Sequence, residues 1–139
     1  MRRSRLIMLS CALLALGCSD LTSPSRLDGA WREEVTRCEF SDPLCVEGLG
    51  NGLGFTLAAN ADSITGTGSW SGEGGSGGPV TVAGTTTQGN VTLTLSFAGI
   101  GNVVPPWSAT FTGRLSDANT LAGTMRRDAA SAPVVFKRG

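Results

Sequence analysis

Apolar side chains alternate with threonine and serine along most of this chain, with a period of two residues. In GLGFTLAA (52–59), Leu53 and Phe55 fall on one face and Thr56 on the other. In VTLTLSF (91–97) the apolar residues again take every second position. A period of two is typical of a β-strand with one buried face, whereas the apolar face of a helix repeats every 3.6 residues or so. The pattern therefore predicts an all-β protein.

Eight segments carry this pattern, and most of the links between them are short. The segments are LDGAWREEV, GLGFTLAA, SITGTGSW, VTVAGTT, VTLTLSF, WSATFTGRL, TLAGTMR and PVVFKR. The links NAD, TQG and SDAN (60–62, 87–89 and 116–119) are short and turn-like, which favours antiparallel neighbours. The longer links, GEGGSGG and AGIGNVVPP, have no room for crossover helices. The sequence predicts an eight-stranded antiparallel up-and-down barrel with its apolar face inside, and a two-sheet β-sandwich is the alternative fold.

Charge and residue usage narrow the functions that are open to such a barrel. Without Arg2, Arg3 and Arg5 of the N-terminal segment, eight basic residues face eleven acidic ones, so no attraction for nucleic acid is expected. The chain has no histidine, which excludes Ser-His and Cys-His relays. Glu33 and Glu34 are neighbours on a predicted strand and point to opposite faces, so they cannot share a reaction centre. We therefore expect no enzyme activity, no metal and no cofactor.

The N-terminal segment is predicted to export the chain. Three arginines precede an apolar run at 6–17, which is too short to cross the roughly 30 Å of a bilayer core as a helix. The run ends in Ala15, Leu16, Gly17 and Cys18, which resembles the lipobox of bacterial lipoproteins. The resemblance implies that residues 1–17 are a signal peptide and that Cys18 becomes the first mature residue and carries lipid such as palmitate. The alternative is a plain signal peptide in which Cys18 has no role.

The same resemblance implies a place for the protein in the bacterial cell envelope. Residues 18–26 form a lipid-bearing polar tether with a proline, and residues 27–139 form the barrel domain. The partner at the N-terminus is then a membrane, contacted through lipid. Ser19 stands where an Asp resembles an inner-membrane retention signal in some bacteria, which favours the outer membrane over the inner one.

Two cysteines remain in the predicted mature part. Cys38 and Cys45 flank EFSDPL, and in an oxidising compartment they are predicted to form a disulfide that closes a small loop. Such a bridge stabilises by roughly 2.5 kcal/mol in the loop-entropy estimate. The rival interpretation is a metal site or a reactive thiol. A metal site is disfavoured because the chain has no histidine and no second cysteine pair at ligand spacing.

The first predicted strand contains DGAW, with Gly29 and Trp31 in a Gly-x-Trp arrangement. This resembles the opening signature of lipocalins and the wider calycin group. In those barrels a basic residue near the end of the last strand packs on the tryptophan, and Arg138 or Lys137 matches it here. The resemblance implies that this pair closes the barrel, and an arginine over an indole contributes about 0.5–2 kcal/mol.

Glycine occupies five positions on the predicted inner face, at Gly66, Gly68, Gly84, Gly113 and Gly123. Either the sheet bends there or space is left for a guest. In the second case, a small hydrophobic ligand would contact Phe55, Leu95 and Phe111 in the lumen. Glu33 shares the parity of Trp31 and would anchor a polar group of that ligand, unless it lies in water at the strand end.

A second function is also open, that of a structural or protein-interaction lipoprotein. Its loops would bind an envelope protein or inhibit a protease, as one small calycin-like family does. The GEGGSGG link is interpreted as a hairpin tip, since the lysine and helix of a phosphate-binding loop are missing. Arg126 and Arg127 are predicted to be solvated turn residues.

Overall fold

The alternating segments form eight β-strands. The computed structural model describes residues 23–34, 52–71, 77–99, 101–102 and 105–139. A short 3₁₀ helix, η1 (Pro24–Leu27), precedes the strands. The strands are β1 (Gly29–Glu33), β2 (Gly54–Asn60), β3 (Ser63–Ser71), β4 (Gly77–Thr87), β5 (Asn90–Phe97), β6 (Trp107–Asp117), β7 (Thr120–Arg127) and β8 (Ala130–Arg138). All eight correspond to predicted segments, although β4 and β8 begin a few residues earlier than their patterns indicate.

The strands close into one barrel. Each strand pairs antiparallel with the next one along the chain, and β1 pairs antiparallel with β8. At this seam Trp31 lies opposite Arg138, and Glu33 lies opposite Phe136. The prediction of an eight-stranded antiparallel up-and-down barrel is confirmed. The sandwich alternative is excluded, because every strand belongs to a single closed sheet.

Two-residue turns join several of the strands. Those at 61–62, 88–89 and 118–119 lie in links that the sequence predicts to be turns. In the second, Gln88 and Gly89 have φ of 52° and 79°, the two positive values that a type I′ hairpin turn needs. A further turn joins β7 to β8 at 128–129, directly after Arg126 and Arg127, which the sequence predicts to be turn residues.

Apolar side chains fill the inner face, and the outer face is mostly threonine and serine. Along β5, Val91, Leu93, Leu95 and Phe97 are buried while the residues between them are exposed. Burying a side chain of this kind contributes about 1.5–3 kcal/mol. The hydrophobic effect therefore fixes which face of each strand points inward, and the apolar face lies inside as predicted.

The five inward glycines are places of close packing. A Cβ added to Gly68 would lie 2.6 Å from the Cα of Phe55 on the neighbouring strand. Gly113 and Gly123 face each other across β6 and β7, and added Cβ atoms there would lie 2.5 and 2.7 Å from Cζ of Phe111. At the other two positions the added atom would meet a backbone carbonyl and a leucine side chain. Neighbouring atoms thus occupy the volume beside these glycines, and no space for a guest is left there.

The two ends of the barrel differ. We call one end the closed end; it carries η1, the last residues of β8 and the turns at 61–62, 88–89 and 118–119. We call the other end the open end; it carries the three longest connections, β1–β2, β3–β4 and β5–β6, together with the β7–β8 turn. This arrangement follows from the up-and-down order, since successive connections alternate between the two ends.

Gly113→Ala is predicted to destabilise the barrel, with Gly54→Ala as its matched control. The methyl group at 113 would overlap the Phe111 ring, and overpacking of this kind costs about 1–3 kcal/mol. On the outward side of β2, a Cβ at Gly54 would meet only the carbonyl oxygen of Trp31, at 3.6 Å. That change should be neutral or should stabilise by up to about 1 kcal/mol, because alanine restricts the unfolded chain. Urea denaturation measures both free energies of unfolding, and equal losses in the two variants would contradict the packing role.

Candidate functional site

Trp31 and Arg138 meet at the closed end, where β1 pairs with β8. Cζ of Arg138 lies 4.5 Å from the centroid of the Trp31 ring. Trp31 is 1% exposed, and its indole N–H donates to the carbonyl of Leu27 at 2.8 Å, which ties η1 to the seam. The Nζ atom of Lys137 instead lies 3.9 Å from Oε2 of Glu34. The structure therefore brings together Trp31 and Arg138, and Arg138 rather than Lys137 occupies the position on the indole.

The Arg138 guanidinium also donates to three backbone carbonyls. Nη1 donates to Asp28, Nη2 to Arg26, and Nε to Ala118 at 3.2 Å. One side chain thus joins the segment that leads into β1, the last strand and the β6–β7 turn. Gly29 is required beside it, because its φ is +119° and a Cβ there would lie 2.8 Å from Nη1 of Arg138. The Gly-x-Trp spacing has a physical cause, since the glycine makes room for the arginine that covers the tryptophan.

Hydrogen bonds also hold the β6–β7 turn at the closed end. The carboxylate of Asp117 accepts the backbone N–H of Asn119 at 2.8 Å. This bond, then the Thr120 side chain and the charge of Lys137, lower the pKa of Asp117 below its ordinary value. Asp117 is therefore ionised at neutral pH and remains so into the acid range.

The predicted ligand residues Phe55, Leu95 and Phe111 lie inside the barrel. None of the three is more than 3% exposed. Phe55 and Phe111 both pack against Phe136, with ring centroids 4.8 and 5.4 Å apart. Leu95 lies opposite Ala109 in the ladder between β5 and β6. These side chains are held by other core residues, so a ligand could reach them only by displacing packed groups.

Glu33 lies at the open end, where β1 finishes. It is half-buried, and its Oε2 lies 3.4 Å from the backbone nitrogen of Leu53. The backbone N–H of Glu33 also donates to the carbonyl of Leu53, at 2.8 Å. The Glu33 carboxylate therefore interacts with the chain just before β2.

Three aromatic residues form a cluster at the open end: Trp70, Phe97 and Trp107. Phe97 and Trp107 are cross-strand neighbours on β5 and β6, and their rings stack with centroids 3.7 Å apart and planes 5° from parallel. The Trp70 ring meets the other two edge to face, at 6.3 and 6.4 Å. Trp70 and Phe97 are buried, while Trp107 remains partly exposed. The open-end aromatic cluster thus presents one tryptophan to the outside and two rings behind it.

Arg127 packs on this cluster. Its Cζ lies 4.4 Å from the centroid of the Trp107 ring, and its side chain is only 20% exposed. The expectation that Arg127 is a solvated turn residue is wrong, because Arg127 ends β7 with the inward parity of Met125 and stacks on the indole. Arg126 is exposed, as expected, and donates to the carbonyl of Asp128 at 3.2 Å.

The indole N–H of Trp70 is a buried donor. Among the residues that the structure describes, it has no acceptor. Trp70 pairs with Gly78 on β4, and a Cβ added at Gly78 would lie 3.5 Å from Nε1 of Trp70. A buried donor left unsatisfied costs about 1–3 kcal/mol, and native proteins keep few of them.

Several predicted features lie outside the described residues. These are Cys18 with the signal peptide, the Cys38 and Cys45 pair, and residues 72–76 of the GEGGSGG link. Lipidation, the disulfide and the hairpin tip therefore stay predictions. Within the described ranges, no helix has the length and apolar character to cross a membrane, and no three His, Cys, Asp or Glu side chains are placed to hold a metal ion.

The sequence analysis does not single out the open-end aromatic cluster. The alternation places Trp70 and Trp107 on the inner face but gives no reason to prefer them over other apolar residues. A signal was present in the links, because Trp70 precedes GEGGSGG and Trp107 follows AGIGNVVPP. In an up-and-down meander these two long links leave from the same end, which brings the two tryptophans together.

Comparison with models of known protein families finds no match, and comparison with curated proteins finds no similar sequence. The function of this chain must therefore be inferred from its own residues.

Arg138→Met is predicted to lower the free energy of unfolding by about 1–3 kcal/mol, because it removes the carbonyl hydrogen bonds and the cation–π contact together. Arg114→Met, on the exposed outer face of β6, is the matched control and should change stability by less than about 0.5 kcal/mol. Arg138→Lys should fall between the two, since an ammonium keeps the charge but lacks the planar fork. Thermal and urea denaturation compare the three variants, and a loss at 114 equal to that at 138 would contradict the closing role.

Proposed function

We propose that this protein is a lipoprotein anchored in a bacterial cell envelope by lipid on Cys18, and that its barrel is a binding module for small hydrophobic ligands. The lipobox-like residues before Cys18 support the anchor, and Ser19 favours the outer membrane. Two or three acyl chains would hold the chain stably, because each buried methylene contributes about 0.8 kcal/mol. No catalysis, cofactor or nucleic acid enters the proposal.

In this proposal the closed end faces the membrane. The chain reaches β1 through η1, which lies at the closed end, and Cys18 stands only a few residues before η1 in the sequence. The open end then points away from the bilayer. A tether on the closed end leaves the open end free to meet a ligand.

The open-end aromatic cluster is the proposed binding place, and it is the observation that carries the proposal. Trp70, Phe97 and Trp107 gather where the three longest connections leave the barrel. Aromatic rings provide large apolar surfaces of defined shape for small molecules. We place the ligand here rather than at Phe55 and Phe111, since this cluster includes the partly exposed Trp107, whereas Phe55 and Phe111 are both buried.

Partner binding is the second candidate function, and the position of the connections favours it. The β1–β2, β3–β4 and β5–β6 connections leave from one end, so a single partner could contact all of them. The first contains Cys38 and Cys45. The partner would be an envelope protein or a protease. Replacing Glu73 and Ser76 together by glycine separates the two candidates, because it removes the side chains of 72–76 at constant link length, which should weaken partner capture and spare a ligand held by the rings.

Lipidation is tested by metabolic labelling with radioactive palmitate. Cys18→Ala should abolish the label and keep the chain in its unprocessed form, because the acyl acceptor is lost. Cys11→Ala is the matched control, since Cys11 lies in the apolar run of the same predicted signal peptide. It should be labelled and processed like the parent. Labelling of the Cys18→Ala chain would refute the proposed anchor.

Native mass spectrometry of the intact lipoprotein, released from detergent micelles, tests ligand binding. A discrete bound mass is expected on the parent chain. Trp107→Leu should reduce the bound fraction by about five- to tenfold, the equivalent of one aromatic contact. Phe111→Leu, inside the barrel, should keep the ligand if the chain folds. A ligand lost from Phe111→Leu and kept by Trp107→Leu would move the site into the lumen, and the absence of any ligand would count against the proposal.

A further inference from the structure

The two tryptophans at opposite ends of the barrel differ in their hydrogen bonding. At the closed end, Trp31 donates its indole N–H to the carbonyl of Leu27 at 2.8 Å. At the open end, Trp70 is 5% exposed, and its N–H is the only buried side-chain polar atom without a partner among the residues that the structure describes. Because such a donor costs free energy, an acceptor from outside the barrel wall would be bound with a net gain.

Gly78 leaves room for an acceptor beside this N–H. It lies opposite Trp70 on β4, with the inward parity of Val80. A Cβ there would stand 3.5 Å from Nε1 of Trp70 and 3.6 Å from the carbonyl oxygen of Ala98, both ordinary van der Waals distances. Gly78 therefore differs from the five deeper glycines, where an added Cβ would collide with the neighbouring strand. No side chain therefore crowds the donor from the Gly78 side.

The side chains around Trp70 indicate which class of molecule should carry that acceptor. Phe97 and Trp107 contact the Trp70 ring edge to face, so the adjoining surface is aromatic. Arg127 packs over Trp107 at the same end, with the carboxylate of Asp128 3.9 Å from its Nε, so the preference for an oxygen rests on the Trp70 N–H. A planar apolar molecule that carries a carbonyl-type oxygen matches both the aromatic surface and this donor.

We propose that Trp70 and Gly78 form an oxygen subsite at the open end, which accepts the carbonyl or carboxylate oxygen of a planar apolar ligand as the hydrogen-bond partner of Nε1. This inference rests on the proposed binding function and specifies its ligand class. The oxygen lies next to Gly78, and the apolar body lies against the open-end aromatic cluster.

The test uses the full chain in detergent micelles, with nitrogen-15 label in its three indole groups. The probes are 2-acetylnaphthalene, which carries a carbonyl oxygen, and 2-ethylnaphthalene, which has a similar shape and no acceptor. The acetyl probe should shift the Trp70 N–H resonance saturably and bind about two- to tenfold more tightly, as one hydrogen bond predicts. The Trp31 resonance is the internal control and should not move, because that N–H is already bonded at the far end.

Two variants distinguish the contribution of the Trp70 N–H to binding from the contribution of its ring. Gly78→Ala should fold, since its Cβ makes only ordinary contacts, and should remove the advantage of the acetyl probe by blocking the approach of the oxygen to the N–H. Trp70→Phe keeps an aromatic ring and removes the donor, so it should bind the two probes equally, as followed by the Trp107 resonance. An acetyl preference retained in both variants would overturn the subsite.

The failures of the subsite and of the binding function are distinguishable. If both probes shift the Trp70 and Trp107 resonances with equal affinity in the parent chain, the oxygen subsite is wrong and binding at the open end stands. If neither probe moves either resonance, the binding function fails and the subsite fails with it.

Discussion

Closure of the barrel depends on the pairing of β1 with β8, and Arg138 reinforces that pairing. β1 is the shortest strand, and its ladder with β8 spans Trp31, Arg32 and Glu33, with one backbone hydrogen bond beyond each end, from Glu34 to Val135 and from Gly139 to Ala30. A ladder this short contributes few backbone hydrogen bonds. The guanidinium adds three bonds to carbonyls before β1 and in the β6–β7 turn while it covers the Trp31 ring. Without closure both strands would present free edges, which proteins avoid because edges invite pairing with other chains.

Much of this architecture could be predicted from the sequence, for identifiable reasons. The alternation of apolar residues with threonine determines strand and face together, since a one-residue shift would expose the whole apolar set. The short links determine that neighbours are antiparallel. The β7–β8 turn was predicted slightly too early, at Arg126 and Arg127, whereas it lies at 128–129, where Asp128 takes a positive φ of 50°. That misplacement led to the wrong prediction for Arg127, which ends β7 on the inner face.

The roles of the glycines could not be predicted, because they depend on register and on how closely strands approach. Gly113 faces Gly123 and lies under Phe111, whereas Gly78 faces a tryptophan whose N–H has no acceptor among the described residues. In the sequence Gly113 and Gly123 are both small residues at inward positions, and Gly78 belongs to the GEGGSGG link. The stack of Phe97 on Trp107 likewise requires these residues to be opposite each other, and a shift of two residues along β5 would separate them. The pairing of segments that are distant in sequence therefore determines which glycine lies in close packing and which has space beside it.

The contrast between the ends explains why the Trp70 N–H, which has no acceptor among the described residues, can persist in this fold. At the closed end, the Trp31 N–H and the Arg138 fork find acceptors, and closure of the sheet depends on them. At the open end, Trp70 lies near the end of β3, away from the β1–β8 seam, so the penalty of about 1–3 kcal/mol for its N–H falls where closure is not at stake. Regions that bind ligands are drawn from the less stable parts of a structure. A barrel secured at one end can keep at the other a donor that has no acceptor within the described part of the chain, and a ligand that supplies the acceptor gains the corresponding free energy.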